Sequence, residues 1–275
     1  MKVLLSSDME GVTGAVDWDD MFQGKPQYER FRRLLTQDVN AAIEGALAGG
    51  ADEVVVTEAH GGMKNILLEE LHPDVSMITG TRGRTWLMME GIDESFDAVF
   101  LVAYHAMEGT TAAIMNHTED PHLIREVWLG DVKVGEVGLS GLVAGHFDVP
   151  VVLVTGDDKV AAEAKALLGN IESAVVKYGI SRYTARCLTP KKTSELIKAA
   201  AGRAVKRVGA IKPFKPEFPM EVRVKLNTSL QATQVSKASG VRMVDPTTVA
   251  ATCNDVLEAN QLLQEVESRA SDPAA

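Results

Sequence analysis

Hydrophobic positions along the chain fall into two patterns: short unbroken runs, which read as buried strands, and stripes at helical spacing between them. Runs at 3–5, 54–57, 98–103 and 150–155 predict four buried strands. Between the first two, Phe31, Leu34, Leu35, Val39, Ala42, Ile43, Ala46 and Leu47 recur at helical spacing. They predict a helix over 26–47, ended by Gly49 and Gly50. Strand, helix and strand in that order should pair in parallel through a right-handed crossover. Weaker signals predict a short helix over 65–71, a strand over 75–78 and a helical turn over 84–90.

In the second half, 127–129 and 132–134 flank Gly130 and Asp131, a hairpin signature. A helix over 136–146 is rich in small residues, and since glycine is a poor helix former, close packing should compensate. Further helices are predicted over 159–168, 190–208 and 229–236, and strands over 174–177, 220–226, 241–244 and 248–252. Three prolines over 212–219 mark an extended connector. Asn254 is expected to cap a last helix, and the tail over 268–275 to be disordered. Alternating strands and helices imply an α/β protein: a two-lobed, three-layer α/β/α subunit with mostly parallel sheets. The expected division is a lobe of 1–80 plus about 220–275, and a second lobe of 81–219 contributing His105, His117 and Glu136.

Composition narrows the function classes. The 275 residues carry 28 basic and 38 acidic side chains, a net charge of −10, which argues against nucleic acid as a partner. Two widely separated cysteines, Cys187 and Cys253, form neither a disulfide framework nor a CxxC pair. No secretory leader and no apolar run of about 20 residues is evident, so a cytoplasmic protein without membrane contact is expected. GxSxG, P-loop and GxGxxG patterns are missing, against a serine hydrolase of that type and the common nucleotide folds.

The chemistry gathers where strands end. Asp8 and Glu10 follow the first run and, two residues apart on an extended backbone, point the same way. Two close carboxylates repel unless a divalent metal or a shared proton intervenes. Gly11 and Gly14 permit the tight backbone such a turn requires. His60 follows the second run and His105 the third, and in open parallel sheets ligands gather at the strands' carboxyl ends. Glu136 opens the glycine-rich helix, where the helix dipole favours its charge. Carboxylate and imidazole donors suit zinc, with manganese or iron as alternatives. Five such ligands exceed the need of one open zinc site, and two metals bridged by Asp8 fit the count better. His117 is the best spare base, whereas His72 and His122 read as surface residues and His146 as a helix-end residue.

The motif SSDMEG over 6–11 resembles the SxDxEG signature of the zinc-dependent D-aminopeptidases associated with dipeptide-transport operons. EAHGGMKN, AYHA, NHT, GEVGLSG, VPVVLVTGDD and, later, GVRMVDPTTV follow in that family's order. The resemblance implies two-lobed α/β subunits in decameric rings around a chamber, two zinc ions per subunit, and release of N-terminal D-amino acids from short peptides. It implies Asp8, Glu10, His60, His105 and Glu136 as ligands and His117 as the catalytic histidine. The expected activity is zinc-dependent aminopeptidase action on short peptides or amino-acid amides through a metal-activated water. Another dinuclear metallohydrolase, an amidase or phosphoesterase, and a non-catalytic peptide-binding component of a transport system are the alternatives.

Overall fold

A computed structural model describes residues 1–271. Its strands are β1 (Lys2–Ser7), β2 (Glu53–Glu58), β3 (Ser76–Ile78), β4 (Ala98–Tyr104), β5 (Ile124–Leu129), β6 (Val132–Val134), β7 (Val151–Asp157), β8 (Glu172–Ser181), β9 (Thr184–Cys187), β10 (Met220–Leu226), β11 (Arg242–Asp245) and β12 (Thr248–Cys253). The helices are α1 (Tyr28–Gly49), α2 (Glu136–His146), α3 (Asp158–Leu168), α4 (Pro190–Lys206), α5 (Ser229–Val235) and α6 (Val256–Ala270).

Seven strands form one sheet in the order β3-β2-β1-β4-β7-β8-β9. All neighbours in it are parallel except the β8–β9 pair. Alternation along β1 sends Val3 and Leu5 into one core and Leu4 into another, and β4 divides likewise, with Phe100 on one face and Leu101 on the other. The sheet is therefore buried on both faces, which is why its strands read as unbroken apolar runs. Helices α1 and α4 close one face. The other face meets α2, α3, α6 and a five-stranded sheet of order β11-β12-β10-β5-β6.

That second sheet is antiparallel throughout, so the expectation of mostly parallel pairing holds for the large sheet alone. The sheets also divide the chain along other lines than 1–80 plus about 220–275 against 81–219. Because β2 takes one edge of β1 and β4 the other, β4 and β7 share a sheet with the N-terminal strand. β5 pairs instead with the C-terminal β10, and β6 with β5 at the sheet's edge.

Most predicted elements are present with ends moved by a few residues. The 65–71 and 84–90 segments hold only single 3-10 turns, Leu68–Glu70 and Leu87–Met89. The first of these buries none of its residues, so no apolar face supports a longer helix there. β8 runs well past the predicted 174–177 and turns into β9, an arm whose Tyr178, Ile180 and Tyr183 are exposed and which therefore shows no apolar run. Asp255, not Asn254, caps α6 by accepting the Glu258 N–H. That helix continues through Ala270, so the expected disorder from 268 does not hold up to that residue, and 272–275 lie outside the described residues. The close packing expected of α2 is present: a Cβ on Gly145 would sit 2.0 Å from the Phe214 carbonyl oxygen. Among the described residues no helix is long and apolar enough to cross a membrane.

Candidate metal centre

The sheet order changes direction at β1: the chain steps outward to β2 and β3, then returns to place β4 on the other side. Such a switch point opens a crevice at the strands' carboxyl ends. Asp8 leaves β1 there with its N–H donating to the Val102 carbonyl at 2.9 Å, and Gly11 N–H donates to Ala103 at 2.7 Å. The turn thus lies directly on the end of β4. Only glycine fits at position 11, where a Cβ would stand 2.1 Å from the Tyr104 carbonyl oxygen. His105 follows at once, behind the buried Tyr104, whose hydroxyl shares hydrogen bonds with Ser6 and Ser140.

His60 leaves β2 on a loop pinned from within. The Glu58 carboxylate accepts N–H bonds from Asn65 at 2.7 Å and Ile66 at 3.0 Å, and the Asn65 amide donates to the His60 carbonyl. Glu136 opens α2, and its Oε1 accepts the Glu119 N–H at 2.7 Å.

All six side chains are buried and converge. His60 Nδ1 lies 3.0 Å from Glu10 Oε2 and 3.4 Å from Asp8 Oδ1. His105 Nε2 lies 3.0 Å from Glu136 Oε2 and 3.4 Å from Asp8 Oδ2. His117 Nε2 is more distant, 3.6 Å from Glu136 Oε1 and 3.9 Å from Glu10 Oε1. Two triads are close enough to hold an ion each, Asp8–Glu10–His60 and His105–His117–Glu136, and the two oxygens of Asp8 face one triad apiece. The structure therefore brings together every residue proposed from sequence. His72, next to an exposed turn, and His146, packed against Trp86 and Phe147, lie elsewhere. His122 is exposed as expected but lines the same cavity.

Charge is distributed unevenly. Burial and the neighbouring Glu10 charge raise Asp8 to about 7. Burial opposes ionisation of Glu10 too, yet the charge and hydrogen bond of His60 hold it well below the usual carboxylate value. His60 and His105, despite burial, rise well above the ordinary imidazole value, the first through Glu10 and the second through Glu136. His117 moves the other way, lowered by burial and by the charge of His105.

The donors fit divalent zinc. Nδ1 of His105 and of His117 pairs with a backbone carbonyl, Ala106 and Met115 respectively, which as N–H donors leave each Nε2 lone pair facing carboxylates. Lone pair against carboxylate is repulsive unless a proton or a cation lies between. Asp8 Oδ2 and His60 Nε2 are buried without any hydrogen-bond partner. Donors held about 2.0–2.1 Å from one zinc stand about 3.3 Å apart along a tetrahedral edge. The 3.0 and 3.4 Å separations match that spacing.

All of the converging side chains but His105 floor a cavity of about 490 Å³. Its walls come from elsewhere: Trp18 and Phe22 after β1, Met63 and Met88 from loops, and Glu119 with Glu267 of α6. Trp18 meets the His117 ring edge-on at 5.2 Å between centroids, and Phe22 covers His60 at 6.0 Å. Burial and Glu267's charge hold Glu119 well above the usual carboxylate value, and burial lifts Glu267 itself to about 7. Sequence reasoning missed Glu58, Glu119, Glu267 of α6 and Lys177 of β8, because acids and lysines ordinarily face solvent.

A family profile described as D-aminopeptidase, Peptidase M55, matches residues 1–265. The chain is 35% identical over 264 residues to a D-aminopeptidase of Bacillus subtilis (strain 168), covering 96% of this chain and 95% of that protein. A solved structure described as the Zn-dependent D-aminopeptidase DppA from Bacillus subtilis, a self-compartmentalizing protease, superposes with a TM-score of 0.96 at 34% identity over 100% of both chains.

Proposed function

Because this chain belongs to the D-aminopeptidase family, we propose that it is a zinc peptidase that releases N-terminal amino acids, D-residues in particular, from short peptides or amino-acid amides. The observation that carries this reading is the pair of acid–imidazole triads meeting at Asp8 on the floor of an open cavity. Asp8, Glu10 and His60 would hold one zinc, and Asp8, His105 and Glu136 a second, with Asp8 between them. Bound zinc supplies Lewis acidity, polarising a carbonyl and acidifying water.

The protein's own groups do the rest. His117 has the longest contacts of the six and faces the cavity, which His105 does not. Burial lowers its pKa and so favours the neutral imidazole, whose Nε2 is suited to take a proton and return it to the departing amine. Met115's carbonyl fixes the tautomer this needs. Trp18 and Phe22 shield the floor from water, and the Glu119–Glu267 wall offers carboxyl oxygens to a peptide's free ammonium.

Hydrolysis of D-Ala and L-Ala dipeptides and amides, beside p-nitrophenyl phosphate, paired with zinc analysis tests the proposal. Zinc-dependent release from D-peptides supports it, and phosphatase activity or metal-free turnover refutes it. Two zinc ions per subunit, a cytoplasmic location and a ring of copies, a decamer by resemblance, complete the reading. The relative's self-compartmentalizing character supports assembly, and sedimentation velocity measures it.

A further inference from the structure

The turn that carries Glu10 is held from two sides. On the N–H side, Gly11 bonds to Ala103, and Thr13 gives both its N–H and its hydroxyl to Asp38 at 2.9 Å. On the carbonyl side, besides the turn's own N–H bonds to Met9 (3.1 Å) and Val12 (3.3 Å), one side chain does the holding. Lys177, fully buried at 0% exposure, reaches from β8 beneath the turn, and its ammonium donates to the carbonyls of Glu10 (2.5 Å), Val12 (3.0 Å) and Ala15 (2.7 Å). An ammonium has three N–H donors, and all three are used.

A buried cation without a contacting carboxylate is a costly residue for a sheet interior. Among the described residues Lys177 forms no ion pair; three carbonyls make its direct contacts, while the carboxylates of Asp157, Asp38 and Glu10 attract its charge without bonding to it. An apolar side chain at this strand position would avoid that cost but would leave the Glu10 and Ala15 carbonyls of the turn without their donor. What such a side chain would not do is gather three carbonyls of one turn, the first belonging to a residue whose carboxylate faces His60. The third, Ala15, lies just before the segment carrying Trp18, so the same clamp reaches the cavity wall.

We infer that Lys177 is a positioning residue of the metal centre: by gathering the Glu10, Val12 and Ala15 carbonyls it aims the Glu10 carboxylate, and through it sets the affinity of the site for zinc. This rests on the zinc-peptidase reading above. Groups that support metal ligands in this indirect way typically alter metal affinity about 10- to 100-fold when removed.

The test compares the full-length protein with Lys177→Met, which matches the stem and lacks the donors, and Lys177→Gln, which keeps an amide donor. Val176→Ala, at the buried neighbouring position of β8 whose side chain packs in the α1–α4 core, is the control for destabilisation. Zinc dissociation constants are measured by competition with a chromogenic chelator, and kcat and KM on a D-Ala amide at saturating zinc. The expected order of zinc affinity is wild type, then Gln, then Met, with Met at least about tenfold weaker, kcat reduced and KM changed less than about twofold. Val176→Ala is expected to melt lower yet bind zinc as the wild type does. Folded Lys177 variants with wild-type zinc affinity overturn the inference. So does equal weakening in Val176→Ala, or failure of both lysine variants to fold while the control folds, since either assigns Lys177 to the fold at large. A wild-type protein that binds no zinc instead overturns the reading of the site itself.

Discussion

The imidazole rings of His105 and His117 stack face to face, 3.8 Å between centroids and 13° from parallel. Two cations would repel strongly at that separation. Without zinc, Glu136 and Asp8 favour charge on His105, and burial together with that charge lowers His117; with zinc on His105 Nε2, burial and the nearby cation would still disfavour charge on His117. As the general base proposed above, His117 would act in its neutral form, so activity is expected to fall as pH drops through its pKa. With that pKa below the ordinary value of about 6.5, the acid limb of kcat/KM is expected below that pH. His117→Ala is expected to keep its zinc, lose about 10²- to 10⁴-fold in kcat and lose this limb. Zinc analysis beside the pH–rate profile checks it; loss of metal in the variant would make His117 a ligand instead.

Asp8 turns one oxygen to His60 and the other to His105, each at 3.4 Å. Asp8→Ala is therefore expected to abolish both zinc sites, whereas Glu136→Gln weakens only the one near His105. Metal content after gel filtration should separate the two variants, with activity down by about 10³-fold or more, roughly 4 kcal/mol, for Asp8→Ala.

Gly11 has no room for a methyl group against the Tyr104 carbonyl. Gly11→Ala must push the turn off β4, carrying Asp8 and Glu10 away from His105. The expected cost is about 3 kcal/mol of stability, with zinc binding lost before the fold is. Chemical denaturation together with zinc titration measures both effects.

The fold was legible where burial is two-sided or periodic. β1, β2 and β4 are read from their apolar runs because both faces of that sheet are covered, and His60 and His105 were found because they follow such runs directly. The Glu136 helix was read to the residue. What eluded sequence reasoning depends on contacts between distant segments. Lys177 meets carbonyls some 160 positions away, separations of 167 to 162 residues. Its strand looks like any amphipathic edge until β1's turn is laid over it. The five-stranded sheet joins β5 to a strand more than ninety residues later, Trp128 standing opposite Arg223, and no local periodicity encodes such a pairing.

Away from the centre, Glu163 of α3 accepts the Met107 N–H with one carboxyl oxygen, while the other is buried without a partner. Burial lifts its pKa from 4.5 to about 7. A carboxyl group raised in the folded state binds its proton more tightly there than in the unfolded chain. Its favourable contribution is complete below pH 4.5 and is lost as pH rises to about 7. Glu163→Gln is expected to remove that slope, gaining on the order of 1–3 kcal/mol relative to wild type between pH 5 and pH 8. Melting curves of both proteins across that range, with zinc held saturating, check the sign.

The cavity's floor and its walls have separate origins in the chain. Strand ends and a helix start, wedged between two hydrophobic cores, make the floor; the walls add Trp18 and Phe22 from the excursion after β1, Met63 from the loop after β2, and Glu267 from α6, whose apolar side chains belong to a core. Evolution thus meets two regimes in one pocket. A lineage is free to exchange one peptide diet for another by altering lightly packed side chains such as Phe22, 46% exposed, while the floor has almost no latitude to vary.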